Sequence, residues 1–140
     1  MNKQELKQAI EHILENSYVG TLATISHDRP NTRYMTFFHD NMKLYTLTSR
    51  ETHKVEEIEK NPYVHILLGY DGEGFGDDYV EYEGKATESK DQHLIDKLWN
   101  DKMKAYFTGP EDENILILEI EPQHIRLLNK TGEPPRELDL

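Results

Sequence analysis

The chain has 140 residues, with 27 acidic and 16 basic side chains, a formal net charge of -11 and no cysteine. That length suits one domain able to bury its own core. The missing cysteines exclude disulfides, thiolate-bound zinc, iron–sulfur clusters and thiol catalysis, and the acidic balance argues against nucleic acid or an anionic membrane as partner.

Leu6, Ala9, Ile10, Ile13 and Leu14 recur at helical spacing and predict an amphipathic helix over residues 3–16. The same stretch lacks the apolar core of a signal peptide. The longest aliphatic run, Ile115 to Leu118, is far short of a membrane span. A cytoplasmic protein is the expectation.

The period then shortens to that of strands. Tyr18 to Ile25 predicts a first strand, His27 to Pro30 a turn, and Thr32 to Phe38 a second strand. His39-Asp40-Asn41 is a second turn and Lys43 to Thr48 a third strand, completing an antiparallel meander. Ser49 or Thr52 can cap a short helix with Val55 and Ile58 on its apolar face and Pro62 at its end. Tyr63 to Tyr70 is a fourth strand. Asp71 to Asp78 is an acidic glycine-rich loop, read as a solvated hairpin. It has neither the ligand pattern of a calcium loop nor the βαβ setting of a dinucleotide fingerprint.

Tyr79 to Glu88 is a fifth strand. Asp91 caps a helix carrying Leu94, Ile95, Leu98 and Trp99, continued by a turn over residues 103–107. Ile115 to Glu121 is a sixth strand, His124 to Leu128 a seventh, and residues 130–140 an extended tail. One domain spanning residues 1–140 follows. It is mainly β, an antiparallel barrel with about three peripheral helices.

Seven histidines are scattered with no metal-binding spacing. No nucleophile elbow or phosphate-loop motif occurs. The segment Thr48 to Lys54 stands out. A strand ends in two hydroxyls, Thr48 and Ser49, where a helix begins, and Arg50, His53 and Lys54 gather positive charge within one turn. Helix-start amides plus local cations suit a small phosphate. Arg33, on the second strand, can reach the same place. An ordinary helix cap with solvated Arg50 and Lys54 is the other reading.

Six segments then resemble the FMN-binding split-barrel superfamily of pyridoxamine 5'-phosphate oxidase, and within it the bacterial general stress protein 26 branch. They are Val19 to Thr24, Arg33 to Phe37, Leu44 to Arg50, His53 to Pro62, Val80 to Ala86, and Leu98-Trp99-Asn100. The resemblance implies a six-stranded Greek-key split barrel that dimerises, with FMN in clefts at the subunit interface. Thr48, Ser49, His53 and Lys54 would hold the flavin phosphate with Arg33 beside it. Tyr34, Met35 and Thr36 would follow the ring through their strand backbone. Trp99 would lie at the ring side or on the partner chain. FAD is the alternative flavin, and haem or a deazaflavin the alternative ligands.

A lysine that such oxidases place near the end of the second strand is absent from Phe37-Phe38, and Glu51 stands where a lysine follows Ser-Arg. Arg126 is followed by Leu127-Leu128, so the C-terminal Arg-x-His motif is not spelled. The resemblance therefore implies a flavin-dependent oxidoreductase on a small substrate, with NAD(P)H as an electron donor, rather than vitamin B6 chemistry. A flavin-binding stress protein without turnover, a carrier, buffer or sensor, is the alternative.

Overall fold

The structure is a computed structural model and describes residues 1–72 and 77–140. Residues 73–76, the centre of the acidic loop read as a solvated hairpin, lie outside the described residues. Helix α1 (Lys3–Asn16) begins at Asn2, whose side chain accepts the Glu5 amide. This cap satisfies one of the free first-turn donors. The helix buries Leu6, Ile10, Ile13 and Leu14, four of the five residues of its predicted stripe.

Among the described residues eight strands follow: β1 (Val19–Ser26), β2 (Arg29–Thr36), β3 (Phe38–Asp40), β4 (Lys43–Ser49), β5 (Tyr63–Leu68), β6 (Tyr79–Ser89), β7 (Ile115–Leu128) and β8 (Arg136–Leu138). Helix α2 (His53–Lys60) joins β4 to β5, and α3 (Gln92–Leu98) leads from β6 to β7 through a short 3₁₀ turn. The strands form one antiparallel sheet in the order β2-β1-β5-β6-β7-β4-β3, with β8 also on β7. The sheet curls until its β2 end meets β4, where the buried Thr46 hydroxyl donates to the Thr36 carbonyl at 2.7 Å. This is the expected split barrel with peripheral helices. Two three-residue strands, β3 and β8, add to those predicted.

Four details correct the sequence reading. The first three strands are not a meander: β2 pairs with β1, while β4 pairs with β3 and β7. The chain breaks at Phe37, which is buried and sends its amide to the Tyr18 carbonyl. The first turn is tighter than His27–Pro30, because His27 and Asp28 alone make it, both at positive φ. Pro30 then fits β2 because that strand is at the sheet's end and its missing N–H costs no inner ladder bond. The predicted sixth and seventh strands are one strand, β7. Pro122 interrupts the hydrophobic pattern, and a register shift opposite Glu83/Gly84 absorbs the irregularity. The extended tail does not hang free, since its strand β8 docks on β7 and buries Leu138.

Most of the core fills the concave side of the sheet under α1 and α2. A smaller apolar cluster lies on the other face of β4 and β7, where Tyr45, Ile115 and Ile117 meet Ile95 of α3. At the bulge, a Cβ added to Gly84 would stand 2.6 Å from Ile120 Cγ2 and 2.8 Å from the Glu121 carbonyl oxygen. The second contact is with backbone and cannot swing aside. Gly84→Ala is therefore expected to lower stability by about 1–3 kcal/mol, by the overpacking rule, read as a lower urea midpoint at unchanged slope.

Candidate functional site

Period-two alternation decides which side chains of the first two strands look inward. Leu22 and Thr24 of β1 are fully buried. Arg33 is paired across from Leu22, and Met35 from Gly20, so both share that inner face. Met35 packs on the core. Tyr34 and Thr36 have the opposite parity, and Tyr34 is 78% exposed on the outer face. On β4, Thr46 and Thr48 are in phase with Leu44, and all three are buried.

Arg33 thus enters the barrel edge between apolar neighbours and must be satisfied there. Its NH1 donates to the Thr24 hydroxyl at 2.7 Å and to the Leu22 carbonyl at 3.3 Å. Its NH2 donates to Glu57 Oε2 at 3.2 Å. The Thr24 hydroxyl also donates to Glu57. The hydrogen bond from Thr24, followed by that from Arg33, holds the Glu57 carboxyl below its ordinary range.

The second half of the cluster comes from the β4–α2 junction. Lys54 Nζ donates to the Thr48 hydroxyl at 2.8 Å. Burial pulls the Lys54 ammonium below its ordinary value, the nearby Arg33 charge lowers it further, and Glu57 opposes both. Arg33 and Lys54 are thus close enough to repel. Thr52 occupies the N-cap position of α2 but makes no side-chain bond to the helix. Its hydroxyl donates instead to the Ser49 carbonyl at 2.9 Å, and the Ser49 hydroxyl accepts the Glu51 amide at 3.3 Å. The first-turn amides of α2 are therefore left without the usual threonine cap. His53 is exposed at the same helix start.

The arrangement brings together Arg33, Thr48, Ser49, His53 and Lys54 of the predicted site, with Met35 on the same inner face. It does not bring Tyr34 and Thr36 side chains there. Trp99 ends α3 and packs in the apolar cluster on the far face of β4 and β7. Sequence reasoning missed Thr24, Glu57, Thr46 and Thr52. Three of the four were visible as threonines in phase with leucines or at a helix start, and Glu57 as the residue one helical turn after Lys54. An open cleft of about 490 Å³ borders the cluster, between α2 and the β1–β2 turn, lined among others by His27, His53, Glu57 and Lys60.

The depressed Glu57 carboxyl makes part of the stability pH-dependent. Its contribution is present above the ordinary carboxylate range and is lost as pH falls through the lower folded value. Thr24→Val removes the foremost cause of the shift. Urea unfolding from about pH 6 to about pH 3 is expected to show a shallower acid loss of stability in this variant than in the wild type.

The donor set fits a phosphate group: an ammonium with two N–H bonds beyond its threonine, a guanidinium, two hydroxyls and uncapped helix amides. Residues 6–129 match the family model described as pyridoxamine 5'-phosphate oxidase. General stress protein 26 of Bacillus subtilis (strain 168) is 54% identical over 140 residues, covering 100% of both chains. The crystal structure of the general stress protein 26 from Bacillus anthracis str. Sterne is 36% identical with a TM-score of 0.88, over 97% of this chain and 99% of that one. A FAD-binding protein of Mesorhizobium loti shares the fold at a TM-score of 0.70 and 18% identity, over 84% of this chain and 90% of its own. The chain belongs to the pyridoxamine 5'-phosphate oxidase family.

Proposed function

We propose that the protein binds FMN, with the flavin phosphate at the start of α2. The observation that carries this reading is the half-buried Lys54 ammonium on Thr48, next to Arg33 and the uncapped first turn of α2. In a chain of net charge -11, this local gathering of positive charge is what a small phosphate needs against the repulsion of the whole molecule. Family membership and a FAD-binding protein among the fold neighbours support a flavin as the bearer of that anion. FMN is preferred to FAD because one compact phosphate suits one helix start.

Thr48, Ser49, His53 and Lys54 would hold the phosphate, with Arg33 beside it. Met35 and the β2 backbone at Tyr34 and Thr36 would follow the ring. A bound flavin supplies the redox chemistry, and the protein supplies position, hydrogen bonds and exclusion of water. Arg33 and Lys54 balance the phosphate charge, and the buried threonines keep both cations in place. We read the protein as an oxidoreductase acting on a small substrate, with NAD(P)H as a donor.

The outer face of β1, β2 and β5 supports a homodimer. Tyr18, Val19, Tyr34 and Tyr70 are each more than half exposed, around a hollow of about 400 Å³ shared with Tyr79. Aromatic surface of this kind marks association sites. Trp99 would then meet the flavin from the partner's side. A cytoplasmic setting is part of the same proposal; among the described residues no helix is long and apolar enough to cross a membrane.

One observation favours the reading without turnover. Arg126 binds Glu81 at 2.6 Å, Glu83 at 2.7 Å and Glu137 at 2.9 Å. With three carboxylates around one guanidinium, the charge of this arginine is already balanced within the sheet rather than held for a substrate anion. Steady-state assays with NADH and NADPH separate carrier from enzyme.

The visible spectrum of the protein, taken after loading with FMN and desalting, tests the cofactor; retained flavin bands are expected, and a colourless protein counts against it. Chromatography of the released flavin distinguishes FMN from FAD. Lys54→Glu replaces an attraction with a repulsion and is expected to weaken FMN by at least about tenfold, measured by quenching of flavin fluorescence. Unchanged affinity in the folded variant would mean that the phosphate lies elsewhere.

A further inference from the structure

A site that holds phosphate gains from each cation beside it and loses from each carboxylate. Glu57 runs against that rule. It lies three positions after Lys54 on α2, so both side chains share one face of the helix. Its side chain is only 14% exposed, and its Oε2 is held by Arg33 NH2 and by the Thr24 hydroxyl. Arg33 in turn gives three hydrogen bonds to groups of its own chain, to Thr24, Leu22 and Glu57. A guanidinium has five donors. At most two remain for any ligand while Glu57 is in place.

Carboxylate and phosphate offer arginine the same kind of acceptor oxygen. Glu57 also lines the open cleft between α2 and the β1–β2 turn, beside His53 and Lys60. The carboxylate therefore has somewhere to go, towards another cation and away from Arg33. Lys54 is held differently, by the neutral Thr48 hydroxyl, and two of its three N–H bonds stay available to an incoming anion.

We propose that Glu57 is an internal competitor for Arg33: it occupies the guanidinium in the ligand-free protein, and a phosphate must displace it to gain that contact. Lys54 and the α2 amides make the first hold, and the exchange at Arg33 follows. The competitor keeps Arg33 neutralised when the site is empty and lowers affinity for anions too weak to displace it. This inference rests on the phosphate-site reading above.

Two variants test it, with FMN as the probe by fluorescence quenching and inorganic phosphate by thermal shift. Glu57→Gln keeps the shape and removes the competing charge. It is expected to tighten FMN by about three- to tenfold and to enlarge the phosphate shift. Glu56→Gln removes the same charge from the neighbouring, exposed position on the same cleft, and is expected to change FMN affinity less than about twofold.

Weaker or unchanged FMN binding by Glu57→Gln would overturn the proposal and leave Glu57 as a support for Arg33. Equal tightening by both variants would also overturn it, as an effect of net charge alone. Should Glu57→Gln fail to fold, Glu57→Asp is read by the same criteria, since it draws the carboxylate back from Arg33 by one methylene. A wild type that takes up neither FMN nor phosphate removes the phosphate-site reading and this inference together. A wild type that binds FMN without the Glu57→Gln gain removes only the inference.

Discussion

Arg33 and Lys54 both carry charge into the edge of an apolar barrel, close enough to repel each other. Charges withdrawn from water are costly unless each finds partners. Here the partners are inward threonines and one carboxylate. Thr24 and Glu57 take Arg33, and Thr48 takes Lys54. Those partners come from β1, β4 and α2, so the cluster is satisfied only when the strands stand in their observed register. A slip by one residue would turn Thr24 and Arg33 outwards together. The apolar core and the charged cluster therefore select the same register from opposite sides of the same strands.

Much of this architecture was legible from periodicity. The α1 stripe, the caps at Asp91 and the helix start near Thr52, and the positions of five of the strands all follow from apolar spacing and turn residues. What misled was local chemistry overridden by pairing. Pro122 looked like the end of a strand, yet a bulge lets β7 run past it. Phe37 fell inside the predicted second strand, yet it is where the chain leaves β2. The tail from Lys130 read only as extended, and its docking on β7 was not legible because a three-residue strand such as β8 has no periodicity to read. Within the site, the cations and hydroxyls of Thr48 to Lys54 were visible because they sit together in the chain. The link from Thr24 and Glu57 to Arg33 was not, because it is made only through the β1–β2 register and the docking of α2 on β1.

The two faces of the sheet divide the labour. The concave face holds the core and, at its rim, the charged cluster. The convex face bears exposed tyrosines over β1, β2 and β5, a carboxylate–arginine network around Arg126 over β6, β7 and β8, and the α3 cluster over β4 and β7. Tyr34 and Arg33 are sequence neighbours on opposite faces, so β2 links the aromatic exterior to the cationic rim within one residue. A partner pressed against Tyr34 would push on the strand that carries Arg33.

β7 joins two parts of the sheet that are otherwise separate. β4 pairs with β3 and β7, and β6 with β5 and β7. Without β7, the strands fall into a four-stranded piece, β2-β1-β5-β6, and a lone β3–β4 hairpin. In chain order β7 comes after both of the parts that it joins. Until it pairs, the facing edges of β4 and β6 stay open. Long-range pairing of this kind is slow to form and exposes edges meanwhile. The folding chain is thus at its most aggregation-prone before β7 pairs, since this one 14-residue strand closes both edges at once.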